Sequence, residues 1–220
     1  MVRFRQWIGI AALLLLVLLV SACQDSGPDP CNEEGTLFTD DFSPDRNCGW
    51  ALYNRSGAVA TIEEGVLRMT TSQPGQIWWT NPGRSFDDVV ITANVELVSG
   101  PQDNALALIC RYQSSENFYV FLISSDGYYA IGKYQSGNNQ VTYLTGDGQY
   151  APSDAINQGQ AGNTMRATCI GNELTLTVNG QTVDSVTDPT FVTGDIGVGI
   201  STFQPGSLVV AFDDVRVLAP

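Results

Sequence analysis

The sequence predicts an all-β protein, and three features of the chain point to it. Gly, Ser, Thr, Asn and Gln are plentiful while strong helix formers are scarce, and Lys133 is the only lysine. This composition is typical of strands joined by many turns. With 43% hydrophobic and 15% charged residues, the chain is too apolar to be disordered. No run of ten residues after Gly35 has the helical period, so the body is expected to be strand and turn.

Short alternating or β-branched runs follow one another along the body, and turn residues punctuate nearly every gap between them. So many short strands in one domain cannot form a flat open sheet, and they must curl or split into two stacked sheets. We therefore predict an antiparallel sandwich domain over residues 37–220. The predicted strands are 37–42, 58–62, 66–71, 76–80, 89–98, 105–113, 118–124, 128–135, 141–145, 164–170, 173–178, 182–186, 194–202 and 208–218.

Turn signals fix several of these connections. Asn179-Gly180 stands between two alternating runs and predicts a type I′ hairpin, and Asp126-Gly127 predicts a second hairpin. Residues 146–162 form the longest irregular stretch and are expected to be a surface loop.

Residues 1–22 have the features of an export signal. Arg3 and Arg5 give a positive n-region, and residues 8–20 are an unbroken run of 13 residues, all apolar except Gly9. This run is shorter than the roughly 20 residues of a membrane span, but it has the length of a signal h-region. We therefore predict a cleaved leader rather than a transmembrane helix.

The residues Val20-Ser21-Ala22-Cys23 follow at once and resemble the lipobox of bacterial lipoproteins, in which a small-residue site ends in an obligatory cysteine. The resemblance implies that Cys23 is acylated and becomes the N-terminus of a tether over residues 23–36. An ordinary cleaved signal with a chance cysteine is the alternative. Residue 24 is Gln, whereas Asp beside the lipidated cysteine favours inner-membrane retention. We thus expect a lipid anchor at the extracytoplasmic face of the cell membrane, or of an outer membrane where one exists.

The five cysteines agree with export. Lipidation of Cys23 accounts for the odd count, and Cys31, Cys48, Cys110 and Cys169 remain, which permits three disulfide pairings. An oxidising compartment favours disulfides over thiols. A Cys/His zinc site is excluded because the chain has no histidine, and no C-x-x-C pair supports a four-cysteine site.

Charge excludes nucleic acid as a partner. The chain carries 23 acidic and 10 basic residues, a net charge of −13. Removal of residues 1–22 would take away two arginines and no acid, leaving a net charge of −15. A body this acidic, without a basic stripe, repels phosphate backbones.

Four stretches of the sequence together resemble the jelly-roll domains of the concanavalin A-like lectin/glucanase superfamily. The nearest group is the laminin-G-like and 3-keto-disaccharide-hydrolase-like domains of exported bacterial proteins. The resemblance covers about Phe38 to Val217 and implies two curved antiparallel sheets with the first and last strands paired. It does not imply one function, because this fold hosts lectins, hydrolases and interaction modules. The stretches are DDFSPDRNCGW, ALICRYQSSENFYVFLISSDGYYAIGKY, NTMRATCIGNELTLTVNGQ and VVAFDDVRV.

The resemblance also selects a disulfide pairing. It places the strands of Cys110 and Cys169 near each other, and each cysteine shares the parity of apolar neighbours, including Tyr112 beside Cys110. Cys31 and Cys48 flank the first strand. We therefore predict the bridges Cys110–Cys169 and Cys31–Cys48, with buried free thiols as the alternative for the first pair.

Catalytic patterns are missing from the sequence. Retaining glycoside hydrolysis needs two carboxyl groups about 5 Å apart. The glucanases that the chain resembles carry them as E-x-D-x-x-E or E-x-D-x-E, but no glutamate here has an Asp two residues on. Without histidine, a Ser-His-Asp triad is impossible as well. We expect no hydrolysis of common β-glucans, although a glycoside or 3-keto-sugar hydrolase with acids distant in sequence stays an alternative.

Two pairs of adjacent acids suggest a structural calcium site. Asp40 and Asp41 open the first strand, Asp213 and Asp214 lie in the last, and the resemblance pairs those two strands. Clustered oxygen ligands suit Ca²⁺. Ordinary turn and edge acids are the alternative interpretation.

Aromatic residues give the remaining functional signal, because sugars stack on aromatic rings beside polar groups that orient them. Trp78 and Trp79 are adjacent, so one should face the core and the other should face out. Hairpin registers would bring Tyr112, Tyr119 and Tyr134 to one face. Arg111 points opposite to Cys110, and Arg166 points opposite to Cys169, so both arginines are candidates to flank an exposed ring.

The sequence therefore predicts a lipid-anchored surface protein whose sandwich domain binds carbohydrate, with Trp78, Trp79, Arg111, Tyr119 and Tyr134 together with Arg166 as the candidate site. A hydrolase is one alternative. An adhesion or accessory module without a glycan ligand is the other.

Overall fold

The computed structural model describes residues 29–44, 46–138 and 140–220, and these form a sandwich of two antiparallel sheets. Sheet A contains β1 (Phe38–Asp40), β2 (Tyr53–Arg55), β3 (Ala58–Glu63), β4 (Val66–Thr71), β7 (Val89–Ser99), β13 (Asn163–Ile170), β14 (Glu173–Val178), β15 (Gln181–Thr187) and β17 (Leu208–Leu218). Sheet B contains β5 (Trp78–Thr80), β6 (Ser85–Phe86), β8 (Asn104–Ser114), β9 (Asn117–Ile123), β10 (Tyr128–Tyr134), β11 (Thr142–Tyr143), β12 (Ala151–Pro152) and β16 (Gly194–Thr202).

The strand order interleaves distant parts of the chain. Sheet A runs β15-β14-β13-β7-β17-β4-β3-β2, and β1 pairs with the C-terminal part of β17. Sheet B runs β11-β10-β9-β8-β16-β5, with β12 beside β10 and β6 beside β16. The pairing of the first strand with the last confirms what the family resemblance implied, and the two sheets confirm the predicted fold class.

The main core lies between the sheets and follows from alternation along each strand. In β13, Met165 and Ala167 are fully buried while Arg166 between them is exposed, because successive side chains point to opposite faces. Strands β8 and β9 differ, since nearly all of their residues are buried on both faces. Something other than sheet A must therefore cover the outer face of sheet B.

All fourteen predicted strands are present, and β4, β14, β16 and β17 have the predicted bounds. The sequence analysis missed β2, β6 and β12, which have three residues or fewer and are too short to show a period. The hairpin at Asn179-Gly180 is confirmed, with φ values of 51° and 82°, because a type I′ turn requires positive φ at both positions.

A β-bulge at Arg111 changes which residues of β8 face the core. Arg111 has a φ of 51°, and the pairing of β8 with β9 shifts between Cys110 and Ser114. An extra residue inverts the alternation beyond it. Tyr112 consequently faces outward, which corrects the prediction that it shares the inward parity of Cys110.

Both predicted disulfides are present. Cys31 is bonded to Cys48 and Cys110 to Cys169, with Cα–Cα distances of 5.6 and 6.9 Å. The second bridge joins β8 of sheet B to β13 of sheet A, so it crosses the core between the sheets.

The predicted leader and the lipidation residue Cys23 lie outside the described residues. Within the described ranges, no helix is long and apolar enough to cross a membrane.

Candidate functional site

The outer face of sheet B carries a second hydrophobic cluster. Its members alternate with core residues along β8, β9 and β10, and they are small or apolar and almost fully buried: Ala105, Ala107, Ile109, Phe118, Val120, Leu122 and Ala130. Side chains from β5, β11 and the neighbouring loops pack against this cluster and cover it.

Four aromatic residues form what we call the aromatic strip on this face: Trp79, Tyr112, Phe118 and Tyr134. The ring centroids of Trp79 and Phe118 are 5.4 Å apart, those of Tyr112 and Phe118 are 5.5 Å apart, and Phe118 stacks on Tyr134 at 4.7 Å. Gly199 lies opposite Trp79 on β16, and a Cβ there would come within 2.9 Å of the Trp78 carbonyl oxygen. A glycine at this position therefore allows β5 to approach β16 closely.

Three further aromatics form the aromatic ridge: Tyr143, Tyr150 and Phe203. Tyr143 and Tyr150 meet edge to face with centroids 5.3 Å apart, and Tyr150 meets Phe203 in the same way at 5.9 Å. Tyr143 belongs to β11, Tyr150 to the loop after it, and Phe203 follows β16 directly. Phe203 is 40% exposed, so its ring is available to a ligand.

The outer cleft is lined by Tyr134 of the strip and by all three aromatics of the ridge, and it has a volume of about 280 Å³. Its lining combines aliphatic and aromatic side chains with uncharged polar groups, which are hydroxyls and amides from Ser201, Gln140 and the tyrosines. No described residue that lines it is acidic or basic. A cleft with aromatic walls and a few uncharged polar groups suits a neutral, hydroxyl-rich ligand.

The acidic cleft lies on the other side of the ridge and has a volume of about 350 Å³. The three ridge aromatics form one wall, and Asp103, Ser124, Asp126 and Tyr128 complete the lining. The two clefts thus share the ridge, and a ligand crossing it would touch both.

The tyrosines of the outer cleft stay protonated. Burial, together with the nearby Tyr143, raises the pKa of Tyr134 to about 12. Burial also raises the pKa of Tyr143 and of Tyr150 above the usual range. At neutral pH these hydroxyls are therefore uncharged groups that can donate and accept hydrogen bonds.

The two tryptophans confirm the predicted split. Trp78 packs against the main core, with its ring centroid 6.4 Å from that of Tyr53, while Trp79 lies in the aromatic strip on the outer face. Tyr134 also lies in the strip, as expected. Of the predicted aromatics, Trp79 and Tyr134 therefore belong to the outer face.

Tyr119 does not join them, which corrects the predicted register. Tyr119 pairs with Cys110 and faces the core, whereas its neighbour Phe118 pairs with Tyr134 on the outer face. The Tyr119 hydroxyl donates to the Asp188 carboxylate at 2.6 Å and accepts from the Phe191 N–H at 3.0 Å. Tyr119 is thus a structural residue.

Asp188 is the centre of that buried network. Burial alone would raise the pKa of Asp188, but hydrogen bonds from Lys133, Thr190 and Tyr119 outweigh burial and hold the pKa at about 2. The Lys133 Nζ lies 2.6 Å from the Asp188 Oδ2. The only lysine of the chain therefore forms an ion pair within the fold.

Neither predicted arginine reaches the outer face of sheet B. Arg111 is almost fully buried, donates to the Phe191 carbonyl at 2.7 Å and pairs with Asp88 at 3.0 Å, because the bulge turns it inward. Arg166 is exposed and points away from Cys169 as expected, but it lies on sheet A. The prediction that these two arginines flank an exposed aromatic ring on this face is therefore wrong, because both arginines lie elsewhere in the molecule.

The predicted calcium site at the four aspartates finds no support among the described residues. The Asp40 carboxylate is buried and accepts hydrogen bonds from four protein groups, and Arg46 pairs with both Asp40 and Asp41. Asp214 accepts from the Asn94 amide at 3.0 Å. In the described ranges no three acidic, Cys or His residues are placed to hold a metal ion. Both oxygens of the Asp40 carboxylate are thus already occupied by protein donors.

Sequence reasoning missed the ridge and Phe118. Tyr150 lies in the stretch predicted as an irregular loop, and Phe203 lies just beyond a predicted strand. Residue spacing indicates which face a strand residue occupies but not where a loop folds back. Aromatic residues inside a polar loop were the one available signal.

No family model and no curated protein matches the sequence. Solved structures do match the fold. The carbohydrate-binding module CBM66 from Bacillus subtilis is similar with a TM-score of 0.60 and 17% identity, over 78% of this chain and 96% of that one. A Bacillus licheniformis β-glucanase is similar with a TM-score of 0.58 and 13% identity, over 86% and 100%.

A GH16 protein of a Bacteroides ovatus mixed-linkage glucan system, solved with a product, is also similar. Its TM-score is 0.58 at 13% identity, over 83% of this chain and all of that one. Identities this low establish the fold alone. The chain therefore has the concanavalin A-like jelly-roll sandwich that a carbohydrate-binding module and glucanases share.

Proposed function

We propose that this protein binds carbohydrate in the outer cleft of sheet B without cleaving it. The observation that carries the proposal is the cleft itself, in which Tyr134 of the aromatic strip and the three aromatics of the ridge surround small residues such as Ala105 and Ser201. Aromatic faces stack on the apolar CH faces of sugar rings, and Ser201, Gln140 and the tyrosine hydroxyls can orient them.

Binding is favoured over hydrolysis because the described lining of the outer cleft has no carboxyl group. Hydrolysis needs a carboxyl pair flanking the scissile bond. The fold shared with both a binding module and glucanases is compatible with either activity, and the lining of the outer cleft supports binding.

A glycan array of the full chain in detergent, run with and without Ca²⁺, tests this function. We expect binding to neutral oligosaccharides, with no dependence on Ca²⁺. Release of new reducing ends from a bound glycan, lost on replacing one acidic residue, would instead indicate an enzyme.

Phe203→Ala is expected to weaken glycan binding about tenfold, because it removes the exposed ring of the ridge. Leu52→Ala is the matched control, since Leu52 is 42% exposed and lies outside both clefts. Calorimetric titration measures the affinity, and thermal unfolding should change little for either variant. If the two variants bind the glycan with equal affinity, the ridge is not part of the binding site.

We further propose that lipid on Cys23 anchors the protein at the extracytoplasmic face of the membrane. The support is the resemblance of residues 20–23 to a lipobox behind a charged and apolar leader. Cys23→Ala should shift the protein from the membrane fraction to the soluble fraction, and mass spectrometry of the wild type should show acyl mass on Cys23. Soluble, unmodified secretion of the wild type would contradict the anchor.

A further inference from the structure

The acidic cleft adjoins the outer cleft across the aromatic ridge and exposes two large apolar rings. Tyr128 is 43% exposed and Phe203 is 40% exposed, and both line this cleft. Phe203 also lines the outer cleft, together with Tyr143 and Tyr150. A glycan of several sugar units that lies in the outer cleft can therefore extend over the ridge into the acidic cleft.

The two carboxylates of the acidic cleft have no cationic partner. Asp126 Oδ1 accepts a hydrogen bond from the Ser124 hydroxyl at 2.5 Å, and Asp103 Oδ2 accepts one from the Gln204 amide at 3.2 Å. Among the described residues, neither aspartate forms an ion pair, and the second oxygen of each carboxylate has no hydrogen-bond donor. Both negative charges are thus left uncompensated within one half-buried cleft.

The ridge supplies an independent sign of a ligand at this place. The Tyr150 hydroxyl is buried beside the Tyr143 hydroxyl, but no group among the described residues forms a hydrogen bond of normal geometry with it. Buried polar groups are nearly always paired, so an unpaired one needs an explanation. Because Tyr150 lines both clefts, a polar group of a ligand that crosses the ridge could pair with this hydroxyl after a small shift of the ring.

These features together favour one ligand chemistry. Carboxylates attract an ammonium group, and aromatic faces attract it as well. The net charge of −13 adds a long-range attraction for cationic polysaccharides and repels anionic ones. We propose that the acidic cleft is a subsite for sugars that carry a free ammonium group, so that the protein prefers amino sugars without N-acetyl groups. This inference rests on the proposed glycan binding.

Two oligosaccharides with the same backbone test the proposal: a glucosamine hexamer with free amines and its fully N-acetylated counterpart. Binding to the full chain in detergent is measured by calorimetry at about pH 5.5, which keeps the amines of the free-amine hexamer protonated. We expect the free-amine hexamer to bind at least about tenfold more tightly, the size of one charge-assisted hydrogen bond. An oligogalacturonate should bind more weakly than either.

The double variant Asp103→Asn/Asp126→Asn should lose this preference and keep its affinity for the acetylated hexamer. Glu34→Gln/Asp87→Asn is the control, because it removes two exposed charges outside both clefts and leaves only the general attraction changed. Equal reduction of the preference in both double variants would show that net charge acts rather than the cleft, and would overturn the proposal.

If the acetylated hexamer binds and the free-amine hexamer binds no more tightly, the subsite is wrong while the proposed function stands. If neither hexamer binds, the amino-sugar preference is overturned, and the glycan array then decides the proposed function separately.

Discussion

An Asp40→Ala variant is expected to lose about 3–5 kcal/mol of its free energy of unfolding, because it removes a fully buried carboxylate on which four donors depend. The Asp40 Oδ1 accepts from the Phe42 N–H at 2.9 Å and from Arg46 at 3.3 Å. Its Oδ2 accepts from the Trp50 indole at 3.1 Å and from the Cys48 N–H at 3.4 Å. Removal of the carboxylate leaves these donors without their acceptor in the interior.

The loss should spread to the packing around Trp50, which is nearly fully buried and lies between Phe38 and Phe42 at centroid distances of 6.0 and 5.7 Å. The Asp40 carboxylate therefore orients an aromatic cluster that seals the end of β1. Urea unfolding followed by tryptophan fluorescence, with the disulfides oxidised, measures the effect.

Asp41→Ala is the matched control on the neighbouring residue. The Asp41 side chain is 53% exposed and pairs with Arg46, and its pKa is lowered chiefly by hydrogen bonds from Ser43. A solvated pair of this kind contributes less than about 1 kcal/mol. A loss for Asp40→Ala no larger than that for Asp41→Ala would show that the buried network does not stabilise the fold.

The same aspartate shows where sequence reasoning fails. Adjacent acids on two paired strands predicted a calcium site, and the pairing of β1 with β17 is present. Three of the four donors to Asp40 come from residues six to ten positions later, in a segment with no regular period. A count of carboxylates cannot reveal such donors, because their position depends on the path of an irregular segment.

Strands and hairpins were predictable because they depend on local rules. Alternation marks the two faces of each strand, and Asn179-Gly180 determines its own turn. Alternation fails where an extra residue enters a strand. The bulge at Arg111 has no sequence signal, since arginine does not favour positive φ, and it reversed the predicted facing of Tyr112.

Only those residues of the candidate site that lie on regular strands could be predicted from the sequence. One of the two adjacent tryptophans was expected to face outward, and Trp79 does. Tyr143, Tyr150 and Phe203, in contrast, come from short or irregular segments that fold back over the sheet. The cleft exists because of that fold-back. Its charge pattern, neutral on one side of the ridge and acidic on the other, therefore emerges only in three dimensions.

Removing the bridge between the sheets should have an effect as large as that of removing Asp40. Cys110→Ala/Cys169→Ala is expected to lose about 4 kcal/mol of unfolding free energy, because the bridge closes a loop of 59 residues. Both positions are fully buried, and alanine leaves no unpaired polar group there. The comparison variant Cys31→Ala/Cys48→Ala opens a loop of 17 residues and should lose about 3 kcal/mol.

The order of these two losses separates two origins of the stability. In the chain-entropy model the bridge restricts the unfolded chain, so the longer loop should stabilise more. The bridge at Cys110 also joins β8 to β13 across the core, and its loss removes this covalent cross-link between the sheets. We expect both double variants to fold, with the 110–169 variant the less stable in urea. If the Cys31→Ala/Cys48→Ala variant were the less stable of the two, the bridge near β1 would stabilise the folded state by more than the chain-entropy model predicts.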